Sequence, residues 1–366
     1  MSISAGTPFQ FDSDAPLWSD MDKLSATHTI GFYRDPGNSG RPTAVVITSA
    51  GVAGTSVQVE SDDNMKKSMV VGLSATKALA CWTTAANVAR ARVLTISGTT
   101  VTPSGSTKTL SFSISSGGYA SMTGLSSSTA LLAYTISSQQ NAVVLSVFGS
   151  LVSEGSILLD WAPGSTVTID MCTLSATKAL AVYLDPVNSN RGTTTVLNIS
   201  GTTVTDGGSD VIFETDQPAG PNVEFVTSTS ALVAYKDTSD QKGKAQVITV
   251  SGSVPSGNAI AVFEDAAISG EADIATVVFE STRGAVFYKT GGAGHVAELI
   301  ISGTTVIPGN TPEFSPGNVT ALAGVAYDTE KAACIYAVGI AGGEAVIATA
   351  SDLFVGYDLV LGGGQP

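Results

Sequence analysis

Histidine, cysteine and basic residues are scarce in this sequence. There are 2 His and 3 Cys among 366 residues, and Lys plus Arg number 17 against 31 Asp plus Glu. The three cysteines, Cys81, Cys172 and Cys334, each lie inside an apolar run ("ALACW", "IDMCTL", "KAACIY"). An odd count without clustered spacing argues against a disulfide framework or a structural zinc site, so they read as small core residues. The net charge of −14 opposes nucleic-acid binding, which needs Lys and Arg to neutralise phosphates, and it disfavours adhesion to anionic membranes. No apolar stretch approaches the roughly 20 residues of a membrane-spanning helix. The first residues, "MSISAGTPFQFDSDAP", have neither a basic start nor an apolar signal core, so synthesis in the cytoplasm is expected. Long Ala/Glu/Lys/Leu stretches of helical period are missing too.

What is present is turn chemistry and repetition. Glycine reaches 39 residues and Ser and Thr are abundant, alongside short Val/Ile/Ala-rich runs. "LSATKALAVYLDPVNSN" at 174–190 largely restates "LSATHTIGFYRDPGNSG" at 24–40. The aromatic that closes each such apolar run falls at Tyr33, Trp82, Tyr134, Tyr183, Tyr235, Tyr288 and Tyr336, at intervals of 49, 52, 49, 52, 53 and 48 residues. Nine positions before each stands an apolar anchor: Leu24, Leu73, Leu125, Leu174, Val226, Phe279 and Tyr327. A second signature, "ISGTTV" or a variant, places Gly98, Gly149, Gly201, Gly252 and Gly303 51 or 52 residues apart, where a tight hairpin turn needs glycine.

Each unit divides into four β segments. In the fourth copy they are near 166–174, 179–185, 193–200 and 209–215, joined by short Gly/Ser/Asn/Asp turns. Four-stranded antiparallel units repeating at about 50 residues predict an all-β fold, a seven-bladed β-propeller. Phe112, Phe213 and Phe314 each stand 13 positions before the next anchor, and Phe11 stands 13 before Leu24. The N-terminal strand, residues 7–13, is therefore expected to complete the last blade and close the ring. The propeller would span 1–351, and the apolar tail 352–366 would pack on the ring or on a neighbouring subunit.

Alternating hairpins put the uniform "LSAT" and "SGTT" turns on one face and the variable polar loops on the other, where binding residues usually sit. Candidate ligand or partner contacts on that second face are Asp35, Asn38, Arg41, Arg90, Gln139, Asp185, Asn188, Arg191, Asp237 and His295. The D-P-x-N-S loops containing Asp35 and Asp185 are also good turn formers. Two isolated histidines, no G-x-S-x-G elbow and no His/Cys/carboxylate spacing leave no catalytic, metal or cofactor site to assign. "ESDDN" at 60–64 offers oxygen ligands but lacks the D-x-D-x-D-G spacing of a calcium loop.

The repeats "LSATKALAVYLDP-NS" and "ISGTTVT" lack the Trp-Asp ending of WD repeats, the Gly-Gly doublet of kelch repeats and the Asp-box of sialidases. They resemble, over nearly the whole chain, the propeller repeats of bacteriophage virion proteins of the tail-fibre, head-fibre or decoration type. That resemblance implies a non-enzymatic virion structural protein, present in multiple copies. It would dock on other virion proteins and contact host-surface glycan or a receptor protein. Two rivals remain. A carbohydrate-active enzyme (glycosidase or lyase) would need two carboxylates roughly 5 to 10 Å apart in a cleft. A cellular protein-interaction scaffold would need an exposed apolar patch away from the loop face.

Overall fold

A computed structural model describes residues 2–61, 64–114, 119–136, 139–162, 168–268, 274–338 and 342–351. These residues form seven antiparallel sheets, numbered here as blades 1 to 7. Their innermost strands are Leu17–Ser25, Met65–Ser74, Ala120–Ser126, Ile169–Ser175, Pro218–Thr227, Ile274–Glu280 and Val319–Ala326. Each packs against the innermost strands before and after it, and that of blade 1 touches both blade 2 and blade 7. The ring is closed.

Why it closes is visible in the second strand of each blade. Lys178–Asp185 is buried along almost its whole length because its two faces meet two different neighbouring sheets. Seven hydrophobic clusters result, each shared between adjacent blades. The last joins Met21, Tyr33, Val45 and Ile47 of blade 1 to Ala323, Tyr327, Ile335 and Ala345 of blade 7. The Tyr327 hydroxyl reinforces this seam by donating to the Ile47 carbonyl at 3.0 Å. Cys81, Cys172 and Cys334 are free and buried in these clusters, as their apolar context predicts.

The outer edge differs from the expected single fourth strand. In blade 4 it is broken in two: Thr203–Asp206 pairs with the C-terminal half of the third strand and Val211–Glu214 with the N-terminal half. Gly207 and Gly208 make the break. A Cβ on Gly207 would stand 2.5 Å from the Val196 carbonyl oxygen, and Gly208 has φ +77°. The chain's first residues repeat this pattern on blade 7. Ser2–Ala5 pairs with the C-terminal half of Gly343–Ser351 and Phe9–Asp12 with its start, with Gly6 donating to the Ile347 carbonyl at 2.9 Å as Gly207 donates to Val196 at 2.7 Å. The paired N-terminal segment thus begins at Ser2, ahead of the expected residue 7. Its first half lacks the phenylalanine by which fourth strands are recognisable in the sequence. The expected tail, 352–366, lies outside the described residues.

The turn glycines Gly98, Gly149, Gly201, Gly252 and Gly303 all have φ between 57° and 64°. Any other residue would be strained there. The "LSAT" and "SGTT" turns of blades 5 and 6 together line one hydroxyl-rich groove, which puts both turn types on one face.

Candidate functional site

The innermost strands enclose a central channel of about 660 Å³ to which every blade contributes. Its acidic side chains are Asp20, Asp22, Asp170 and Glu224. An innermost strand has no sheet neighbour on its channel side, so its backbone N–H groups there need other acceptors. The sequence supplies them from one repeat position, four residues before each apolar anchor. That position holds Asp20, Met69, Ser121, Asp170, Asn222, Ala275 and Ala323 in blades 1 to 7.

Wherever the residue there is polar, it reaches across to the next blade. Val70 N–H donates to Asp20 Oδ2 at 2.7 Å, Met171 N–H to Ser121 Oγ at 3.2 Å, Val223 N–H to Asp170 Oδ2 at 2.8 Å and Thr276 N–H to Asn222 Oδ1 at 2.5 Å. Asp22 adds a second link between blades 1 and 2, accepting from Gly72 N–H at 2.8 Å. Asp170 also accepts from Ser121 Oγ at 2.8 Å and Asn222 Nδ2 at 2.7 Å, so one carboxylate joins blades 3, 4 and 5. Burial pushes these carboxyls up even against their N–H donors: Asp20 to about 7, Asp22 and Asp170 to about 6. Glu224 is also raised well above the usual carboxylate range, by burial first and then by the charges of Asp170 and Asp22. Among the described residues it has no bond to a neighbouring blade of the kind the two aspartates at the shared position make.

At the outer rim, between blades 7 and 1, 4 and 5, and 5 and 6, a second repeated device appears. The aromatic of the outer strand packs edge-on against the closing tyrosine of the next blade: Phe11 on Tyr33, Phe213 on Tyr235 and Phe263 on Tyr288, with ring centroids 5.4 to 5.7 Å apart. The residue after each phenylalanine is acidic and accepts that tyrosine's hydroxyl. Tyr33 donates to Asp12 at 2.5 Å, Tyr235 to Glu214 at 2.6 Å and Tyr288 to Glu264 at 2.6 Å.

The residues singled out from sequence are distributed blade by blade, and each cluster is held together within its own blade. Asp35 and Asp185 cap 3-10 turns at Pro36–Asn38 and Pro186–Asn188. Asp185 is 1% exposed and accepts from Val187 N–H, Asn188 N–H and Asn188 Nδ2, which makes it a turn residue turned inward. Asn188 and Arg191 beside it are exposed. In blade 1, Asn38 and Arg41 both donate to Gln58 Oε1, at 2.8 and 3.3 Å. Asp237 is fully buried and paired with Lys244; burial works to raise its carboxyl, but the bonds from Lys244 and Ser239 hold it below the usual range.

Arg90, Gln139 and His295 lie in strands, not in loops. The turn before His295 is only Gly291–Gly292, both with positive φ, so the histidine is already in the third strand. There it stacks on Tyr288 at 5.6 Å. Arg90 and His295 share one repeat position, directly across from the closing aromatic of their blades, where the others carry Thr43, Asn141, Thr193, Lys244 and Glu344. Six different residue types stand at this position across the seven blades.

Among the described residues, two three-carboxylate groups occupy equivalent positions of the repeat, Asp12 with Asp14 and Asp35, and Glu214 with Asp216 and Asp237, each with oxygens within 4.8 Å of one another. Such oxygen-only sets suit a hard cation. In the second group the cation is built in, as Lys244 pairs with Asp237; the corresponding residue of blade 1 is Thr43. In the first, burial and the charges of Asp12 and Asp14 raise Asp35. Of the "ESDDN" stretch, Asp62 and Asp63 lie outside the described residues, while Glu60 accepts from Thr107 Oγ1 at 2.5 Å and stands 3.9 Å from Arg92.

No protein-family model matches the chain, and no curated protein sequence matches it. Among solved structures, the WD40 domain of Toxoplasma gondii coronin has a TM-score of 0.59 at 8% identity, covering 96% of this chain and 87% of that one. A Dyadobacter fermentans protein of unknown function has a TM-score of 0.55 at 9% identity, covering 95% and 99%. AofleA from Arthrobotrys oligospora has a TM-score of 0.55 at 7% identity, covering 87% and 91%. At these identities the likeness speaks for the propeller fold.

Proposed function

We propose that this chain is a non-catalytic binding propeller of a bacteriophage virion, made in the host cytoplasm and carried on the particle in multiple copies. It docks on other virion proteins, and its variable loops and outer rim contact host-surface glycan or a receptor protein. The observation that carries the binding reading is the commitment of Asp20, Asp22 and Asp170 to backbone N–H groups of neighbouring blades. Carboxylates held this way tie the ring together, and the chemical variety of the repeat lies at its loops and rim. The virion assignment is supported by the resemblance of the repeats. Single contacts from such loops are weak, and many copies on one particle convert them to avidity.

One observation favours the rival enzyme: four raised carboxyls face one channel, and among the described residues Glu224 makes none of the neighbour-blade bonds its companions make. Two experiments separate the readings. Antibodies raised against the protein should label purified virions, and the protein multimerised on beads should bind a subset of an immobilised glycan panel or a host surface protein. Release of reducing ends from polysaccharide, lost in Glu224→Gln, would replace the binding reading with the enzymatic one. Unlabelled virions would overturn the virion assignment.

A further inference from the structure

The rim device is present at three of the seven junctions, and where it is absent between blades 2 and 3 a cavity opens. Between blades 2 and 3, Phe112 is followed by Ser113, where Phe11, Phe213 and Phe263 are each followed by an acid. Tyr134 therefore meets no such carboxylate, and among the described residues its hydroxyl has no hydrogen-bond partner. The rings of Phe112 and Tyr134 have turned from the edge-on arrangement to a face-to-face stack, with centroids 4.0 Å apart and planes at 12°. Beside them is a pocket of about 470 Å³, walled by Leu110, Ile136, Ile157 and Leu159. Asn141, directly across from Tyr134, lines the same pocket; it is 1% exposed, and among the described residues its Oδ1 has no hydrogen-bond partner.

We infer that this pocket is a binding subsite for a neutral hydroxylated ring, a pyranose unit of a glycan. The inference rests on the glycan-binding half of the function proposed above. Its volume falls in the range of small-ligand pockets, and its composition, apolar walls with a few convergent polar atoms, is the usual one. A buried amide oxygen without a donor is costly, and a sugar hydroxyl supplies the donor. The aromatic and aliphatic walls match the C–H face of the ring. A plain alkyl chain would fill the walls and strand Asn141 Oδ1. An anion would meet the nearby Glu154, which burial works to raise but which Ser111 and Lys108 hold below the usual carboxylate range, and so in its charged form.

The other junctions also prescribe the test. Ser113→Glu recreates the Phe-acid pair and offers Tyr134 the carboxylate that Glu214 offers Tyr235. It should leave Tm equal to or above that of the parent protein while occluding the pocket. Asn141→Ala removes the orphan acceptor. Saturation-transfer NMR with the methyl glycosides of glucose, galactose, mannose and fucose at millimolar concentration should show transfer to at least one with the parent protein. Ser113→Glu should abolish it, and Asn141→Ala should weaken it at least ~10-fold, the worth of one buried hydrogen bond. Undiminished transfer in both variants would overturn the pocket while leaving glycan binding elsewhere on the ring intact. Absence of transfer from the parent protein, or stronger transfer to n-hexanol than to any glycoside, would also overturn it. Virion labelling and binding to a host surface protein test the wider proposal independently of either result.

Discussion

Asp170 offers the sharpest perturbation of the ring. Its two oxygens take hydrogen bonds from Ser121 Oγ, Asn222 Nδ2 and Val223 N–H, all within 2.7 to 2.8 Å. Hydrogen bonds to a charged group contribute about 1.5–3 kcal/mol each when the partners are left unsatisfied. Channel water can replace part of what Asp170→Ala removes, and deleting the carboxylate also relieves the burial that raises its pKa to about 6. The net loss should be about 2–4 kcal/mol. Asp170→Asn keeps an acceptor for Val223 and can donate to Ser121 Oγ, and Asn222 shows in the next blade that a neutral amide performs this task. It should cost less than about 1 kcal/mol. Urea denaturation followed by circular dichroism would measure both, with equal m-values required for the comparison. An Asp170→Ala protein within about 0.5 kcal/mol of the parent, the range of an ordinary surface substitution, would refute the idea that these carboxylates hold neighbouring blades together.

Other perturbations follow from the same geometry. Asp20, at about 7, and Asp22 and Asp170, at about 6, bind protons more tightly in the folded protein than in the unfolded chain, where Asp lies near 3.9. Between about pH 4 and 7 their contribution to stability therefore falls as pH rises, so Tm should be higher at pH 5 than at pH 7.5, and Asp20→Asn with Asp170→Asn should flatten that slope in differential scanning fluorimetry. Removing residues 2–12 strips both paired segments from blade 7, together with buried Ile3 and the Phe11–Tyr33 contact. A loss of about 5 kcal/mol is expected, with concentration-dependent association at the bared edge in sedimentation velocity. Glu214→Ala should cost about 1–3 kcal/mol by leaving the buried Tyr235 hydroxyl without its 2.6 Å acceptor, measurable by urea denaturation.

The ring was legible because its code is periodic. The closing aromatics and turn glycines each mark a position where packing or positive φ permits few residues, so they recur at even spacing. The split outer strand was not legible, because "SGTTVTDGGSDVIFET" contains two short strands whose break is only a glycine pair. The inter-blade acceptors were hidden for a different reason. Asp170 in "TVTIDMCTL" looks like one polar residue of an alternating strand, and its partner lies more than 50 residues away in the next blade. The signal that could have found it is the alignment of all seven anchors, which puts Asp20, Ser121, Asp170 and Asn222 in one column. Asp185 and Asp237 read from sequence as loop acids, but an acid that begins a turn is drawn inward by the N–H groups of that turn. From sequence, His295 and Arg90 fall in loops, because nothing in their own residues shows how tight the preceding turns are.

On the proposed function, the channel carboxylates build the ring while the loops and rim do the binding. A cryo-electron-microscopy map of the protein in its native assembly tests this most directly. Partner density should cover the face carrying Asn188 and Arg191 or the outer rim, with no saccharide or protein density in the channel. A saccharide seated in the channel between Glu224 and Asp170, with the loop face and rim bare, would contradict it.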